Sequence, residues 1–528
     1  MRYFYTIRHL KLQQLYYQVY YRAGKKIKGM LGNSFPLWLE KEISPLRLLP
    51  CIQKFSSFDN GTFSFLNLSQ SFGEDVKNID WEFRDYGKLW EYNLNYFDFL
   101  LQPGMTKESG VALIESFLAS LHHDSVALES YPVSLRGINW IKFLSFHSIH
   151  STEVNGSLFV QYKILEKNIE YHLLGNHLLE NAFSLLFGAF FFQEPLWFEK
   201  SSRLLSEQLE EQILDDGAHF ELSPMYHKII LDRLLDCINL LQNNKQFYGQ
   251  DKLFLLLSKK ASVMLSWLKA ISFSNSSIPY LNDAVDDIAP INNLLFEYAL
   301  RLGVKNDDLS VQLKESGYRK HSTSLYECIV DVGIIGPKYI AGHAHADTMS
   351  FVLNIERKAV IVDTGISTYE KNSRREEERS TAAHNTVEIN GFNSSDVWGG
   401  FRVGKRSEVK IIDDNDGIIS AEHDGYKKFK VTHKRQWQFF EDKIVITDHV
   451  SGKDNEVKAY LHFDCNVYPE LSGNVIFVDN AVIVIDGAEK IEIKKYFQAV
   501  GYNRTVESMK AVISFNKTLV VSMLCNKL

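Results

Sequence analysis

From about residue 85 to 305, apolar side chains recur at spacings of three and four, as in SLFVQYKILEKNIEYHLL, SSRLLSEQLEEQILDD and HKIILDRLLDCINLLQNN. That period buries one stripe of a helix. The short polar or Gly-containing connectors between these stretches predict antiparallel helical hairpins. From about 324 the pattern changes to short β-branched runs, among them SLYECIVDVGII, KAVIVDTG, HNTVEIN, KIVITDHV, KAYLHFD, NVIFVD, AVIVIDG and TLVVSML, punctuated by Asn, Asp and Gly. These predict antiparallel strands in a sandwich. Helices followed by strands predict two adjoining domains with a site at their junction. The expected divisions are a helical extension and lead-in over 1–84, a helical domain over 85–320 and a β domain over 321–528. FSLLFGAFFF, residues 183–192, is apolar on every side but too short to cross a bilayer, so it predicts a buried helix.

With 45% hydrophobic and 23% charged residues the chain is expected to fold. A net charge of −7 lacks the basic excess of a nucleic-acid binder, so an anionic substrate would need a local basic cleft. The five cysteines are scattered and form no C-x-x-C pair, which argues against both a disulfide framework and a thiolate zinc site. The N-terminal MRYFYTIRHLKLQQLYYQVYYRAGKKIKGM has neither the apolar core nor the cleavage site of a signal peptide. Its basic and aromatic residues suit a helix packed on its own domain or one lying on a membrane surface. No transmembrane segment is expected, and the compartment expected is cytoplasmic or membrane-peripheral. The oligomeric state is left open.

Three stretches carry candidate chemistry. In GNHLLENAFSLL, residues 175–186, Gly175 is expected to end one helix and Asn176 to cap the next. His177, Glu180, Asn181 and Ser184 then share one face. In DDGAHFELSPMYHK, residues 215–228, Ser223 and Pro224 predict a helix start, with Tyr226 in the first turn where the helix dipole favours a phenolate. Such a tyrosine is a proton shuttle or a core residue. In GHAHADTMSF, residues 342–351, a period of two puts His343 and His345 on one side of a strand. Asp363 in VDTG and His384 in RSTAAHNTVEING complete two histidines and an aspartate, a reasonable zinc set, though each is equally a satisfied polar group of a sandwich.

These stretches, in this order, together with LWEYNLNYFDFL at 89–100 and YPVSLRGINWIKFL at 131–144, resemble the heparinase II/III-like polysaccharide lyases, which include heparin, heparan and alginate lyases. The resemblance runs from about 85 to 450. It implies an N-terminal incomplete (α/α) toroid followed by an antiparallel β-sandwich. It implies that Asn176 or His177 neutralises the substrate carboxylate, that Tyr226 acts as acid and base, and that His343 works opposite it. Glu180, Arg136, Trp140 and Tyr92 are expected at the substrate. His345, Asp363 and His384 match the ligands of a structural zinc. The alginate branch uses a further β-domain tyrosine that no motif here marks. Members are commonly periplasmic, at odds with the missing export signal.

The implied activity is β-elimination in an anionic, uronate-containing polysaccharide. Donors offset the carboxylate charge, a base removes the C5 proton, and an acid protonates the leaving glycosidic oxygen. Arg374, Arg375, Arg379, Arg402, Lys405 and Arg406 offer further positive charge. Other readings are a uronate C5 epimerase, a non-catalytic polysaccharide-binding relative, and a zinc hydrolase built on H-x-H-x-D. Against the last, Thr348 stands where such motifs often continue with histidine.

Overall fold

The computed structural model describes residues 2–31, 36–305, 311–415, 417–452 and 454–525. Two helices, α1 (Arg2–Ile7) and α2 (Leu12–Leu31), come first. Residues 36–57 form neither helix nor strand, and a three-stranded antiparallel sheet follows over residues 58–71, which the sequence pattern did not announce. Its strands are only two to four residues long, too short for a period to be read.

The helical domain contains α3 (Lys88–Tyr96), α4 (Lys107–Ser120), α5 (Ser130–Phe146), α6 (Thr152–Lys167), α7 (Gly175–Phe192), α8 (Pro195–Gln212), α9 (Pro224–Asn243), α10 (Gln250–Ile271) and α11 (Asn292–Arg301). Every residue of α7 except His177 is buried, because α5, α6, α8 and α9 surround it. The all-round apolarity of FSLLFGAFFF therefore has its partners on every side. Gly137 of α5 and Gly188 of α7 make room for Tyr162 of α6. A Cβ at either would lie 2.6 or 2.4 Å from Tyr162 atoms.

The first strand of the β domain is Tyr318–Ser322, which opens a four-stranded antiparallel meander ending at Lys358–Ile361. A ten-stranded antiparallel sheet follows. Its longest feature is a hairpin of Ala481–Gly501 with Arg504–Cys525. AVIVIDG and TLVVSML mark only two ends of that hairpin. The intervening GAEKIEIKKYF alternates charged and apolar residues on a largely solvated surface, and so gives a weaker signal. A further helix, α12 (Ser373–Glu378), lies in the loops beside the four-stranded sheet.

Each domain has its own apolar core. Two smaller clusters join them. Trp267, Leu222 and Leu281 pack against Tyr318, Ile329 and Val352, and Met225, Ala284 and Val285 pack with Ile366 and Tyr502. This apolar seam fixes the two walls of the junction relative to one another.

Candidate functional site

The helical wall is built from two helix starts. Ser223 caps α9: its Oγ accepts from Tyr226 N at 3.2 Å and donates to Asp283 O at 2.6 Å, and Pro224 occupies the first helical position as the sequence predicts. The start of α7 differs from expectation. Gly175 begins the helix instead of ending the previous one, and Asn176 is not its cap. Leu174 takes the cap position at φ 63, ψ −154, a backbone conformation that L residues rarely adopt. Gly175 follows at φ 58, and a Cβ there would come within 2.5 Å of Glu221 Oε1. That close approach frees the Asn176 side chain for the site. Asn176 Nδ2 donates to Glu221 Oε2 at 2.9 Å and lies 3.4 Å from His343 Nε2.

The β wall contributes His343. Residues 342–346 form no strand, so the expected common strand face for His343 and His345 is absent. What aligns them is one carboxylate from the helical domain. Asp283 Oδ2 accepts from His343 Nδ1 at 2.8 Å, and Asp283 Oδ1 accepts from His345 Nε2 at 2.9 Å. Arg375 of α12 binds both oxygens, at 2.5 and 2.7 Å. Backbone contacts join the same segments: Asp283 N donates to His343 O, and His345 N donates to Asn282 Oδ1. Burial alone would raise the Asp283 carboxyl, but Arg375 and the two histidines hold it well below the usual range. It stays ionised and fixes His343 with Nδ1–H toward Asp283, leaving the Nε2 lone pair facing Asn176 and the site.

The Tyr226 ring lies against the His343 imidazole, with centroids 4.0 Å apart, and its hydroxyl is 3.1 Å from that of Tyr369. Burial, reinforced by neighbouring Tyr502 and the negative charges of Asp283 and Glu221, pushes the Tyr226 phenol well above its ordinary pKa. The helix dipole does not win here: the group is a phenol, not the phenolate that its first-turn position suggests. Tyr369, half-buried near Asp283, is raised in the same way.

His177 flanks this cluster, its ring 4.4 Å from Tyr131 and its Nδ1 3.2 Å from Glu170 Oε1. Burial opposes its charge, but Glu170 outweighs that and raises the imidazole pKa. Glu221 shows the balance for a carboxylate. Burial would raise it, yet His219, His343 and the bonds from Asn176 bring it below the ordinary value.

Several expected substrate contacts are elsewhere. Arg136 is fully buried and donates to Gln161 Oε1, Asn95 O and Ala127 O, so it ties helices together. Trp140 is fully buried between Phe97 and Phe117. Glu180 is buried and paired with Arg233 Nε at 3.3 Å. All three are buried, so the expected substrate contacts are packed inside the protein. Tyr92 is half-buried and donates to Glu129, with its ring in a chain through Tyr96 and Tyr131 to His177. Arg375 and Arg379 are also buried. Arg379 donates to Ala344 O and Gly400 O, shaping the His343 loop from behind.

The zinc set is brought together only in part. His384 Nδ1 donates to Asp363 Oδ2 at 2.7 Å, and the His345 and His384 rings are 5.2 Å apart. His345 Nδ1, His384 Nε2 and Asp347 Oδ2 are buried without a partner. Burial lowers the His345 pKa to about 4, so its free nitrogen is a lone pair at neutral pH. Those two nitrogens suit a metal. The two oxygens of Asp363 each accept one hydrogen bond, from His384 Nδ1 and from Gly365 N. Among the described residues, no three His, Cys, Asp or Glu side chains form a metal-holding group.

Asp283, Glu221, Tyr369 and Arg375 therefore belong to the site, and sequence reasoning gave none of the first three a role there. Asp283 lies in the irregular connector PYLNDAVDD, Tyr369 in the loop GISTYE, and Glu221 just before the α9 cap. Each lacks a periodic or motif signal.

Known proteins resemble this chain in both domains. Residues 146–307 match the family model for the heparinase II/III N-terminus, and residues 307–518 match that for the heparinase II/III-like C-terminal domain. A heparin-sulfate lyase of Bacteroides stercoris is 24% identical over 315 residues, 53% of this chain and 44% of that protein. The chain thus matches less than half the length of this curated relative. A crystal structure of heparinase III superposes with a TM-score of 0.65 at 17% identity, covering 85% of this chain and 79% of the other. A heparan sulfate lyase HepC mutant from Pedobacter heparinus gives 0.57 at 16% identity, covering 89% and 82%. These likenesses show the toroid-plus-β-sandwich fold. With both domain models matched in order, the chain belongs to the heparinase II/III-like family.

Proposed function

We propose that this protein is a polysaccharide lyase that cleaves a uronic-acid-containing chain by β-elimination. The observation that carries the reading is the ring contact of Tyr226 with His343, whose Nε2 lies 3.4 Å from Asn176 Nδ2, three side chains from three separate segments. The likeness to a heparin-sulfate lyase supports an anionic polysaccharide as substrate.

His343 Nε2, with Nδ1–H held by Asp283, takes the C5 proton. The C5–H electrons form the C4–C5 double bond, and the C4–O bond breaks. Tyr226, kept as a phenol by burial, gives its proton to the departing glycosidic oxygen. The Asn176 amide and the His177 imidazole, whose pKa Glu170 raises, meet the uronate carboxylate as negative charge develops on it. After turnover the imidazolium and phenolate are neighbours, and return of the proton from one to the other restores both. A C5 epimerase must deliver a proton to the face opposite the one it deprotonates. Matches to both heparinase domain models favour elimination.

A zinc ion would be held by His345 Nδ1 and His384 Nε2, with Asp283 and Asp363 orienting the rings. Its contribution would be to cross-link loops of the β domain. Elemental analysis with thermal melts tests this: His345→Ala should lose metal and melt lower, whereas His343→Ala should lose activity and keep metal. Wild-type protein free of metal removes the zinc proposal.

The test of the activity is a panel of uronate polymers followed by the ultraviolet absorbance of an unsaturated uronate. Altered uronate without chain cleavage would point to the epimerase, and binding without turnover to a non-catalytic relative.

A further inference from the structure

The N-terminal helices take no part in the site. α2 is fixed to the body along one side: Tyr17 stacks on Tyr171 at 4.6 Å, Tyr21 Oη donates to Ile169 O at 2.5 Å, and Gln14 Nε2 donates to Leu173 O at 3.2 Å. Its opposite side carries Leu12, Tyr16, Val19 and Tyr20, which are 84, 62, 69 and 56% exposed. Spacings of three and four make these one continuous stripe. Phe4 and Ile7 of α1 are exposed as well. The helix is therefore docked already, and the outward stripe is not needed for that docking.

Charge identifies the occupant. Residues 1–39 contain Arg2, Arg8, Lys11, Arg22, Lys25, Lys26 and Lys28 but no Asp or Glu, in a chain whose net charge is −7. Arg2 and Lys11 are paired with Asp396 and Glu211, while Arg8 and Arg22 are exposed. A second copy seated on the same face would bring two basic segments together. No described helix is long and apolar enough to cross a membrane.

We propose that α1 and α2 dock the protein on an anionic lipid surface, with the Leu12–Tyr20 stripe in the headgroup boundary and the basic residues against lipid phosphates. Tyrosine suits that depth because its ring is apolar and its hydroxyl polar. Apolar burial and attraction to anionic headgroups act together in such a helix, and removing either weakens binding.

The test is co-sedimentation of the full chain with vesicles of phosphatidylcholine and phosphatidylglycerol, beside vesicles of phosphatidylcholine alone. Wild type should bind the anionic vesicles and be released by salt. The triple variant Tyr16→Ser, Val19→Ser, Tyr20→Ser and the double variant Arg8→Glu, Arg22→Glu should each bind about tenfold more weakly, with unchanged melting. If the triple variant fails to fold, the double variant, confined to exposed arginines, keeps the test intact. Failure of wild type to bind anionic vesicles, or full binding by the double variant, overturns the proposal. So does a wild-type dimer in lipid-free solution that the triple variant converts to monomer.

Discussion

On the helical side of the site, Asn176 and Tyr226 stand in the first turns of α7 and α9, positioned by backbone geometry and a serine cap. On the β side, His343 stands in a loop outside any strand, held by a carboxylate that belongs to the helical domain. One wall is set by local helix signals. The other depends on a buried ion cluster of Asp283, Arg375 and His345 that forms only when the domains meet. The difference teaches that the domain seam builds the active geometry as well as joining two folds. Disrupting a helix start should damage one group, whereas disrupting Asp283 should disturb both histidines and the seam.

The largest effect is expected on the helical wall. Tyr226→Phe should lower turnover about a hundredfold or more, as removal of a general acid does, with substrate binding and melting temperature nearly unchanged. Retention of a tenth of the activity would remove Tyr226 from proton transfer and leave it as a packing partner of His343.

Asp283→Asn should damage activity and stability together. It leaves Arg375 and two histidines around a neutral group, and breaking a buried pair costs about 3–5 kcal/mol. The pH dependence gives a sharper signature. A carboxyl lowered in the folded state stabilises above its unfolded pKa and loses that contribution as pH falls through its folded value. The melting gap between wild type and Asp283→Asn should be full at neutral pH and narrow only in acid below about pH 4. A gap independent of pH would mean that Asp283 acts by shape alone.

Asn176→Ala is expected to lower kcat about tenfold or more, with a smaller change in KM, because its amide matters most as the carboxylate gains charge. A change confined to KM would make it a passive contact. The smallest effect, a few-fold fall in kcat, is expected for Tyr369→Phe, since this hydroxyl lies 3.1 Å from that of Tyr226 and acts through it. An effect as large as that of Tyr226→Phe would make Tyr369 a direct proton donor and shift the catalytic weight to the β wall.

Sequence alone determined the order of helical and β domains, the buried character of α7 and the Ser223–Pro224 start of α9, and it singled out Asn176, Tyr226 and His343 as candidates. These depend on side-chain periods, caps and motif spacing, which act over a few residues. Local signals do not tell a fully buried polar residue from one facing a ligand, so Arg136, Trp140 and Glu180 looked like substrate contacts. Tertiary structure placed them in the interior of the helical domain. It also decided that Tyr226 is a phenol, since burial outweighs the helix dipole, and that His343 and His345 share Asp283. Sixty residues separate His343 from Asp283, and no period or motif links them. Their pairing follows from closure of the apolar seam, which removes water from around the carboxylate and leaves the His343 Nδ1–H as one of its partners.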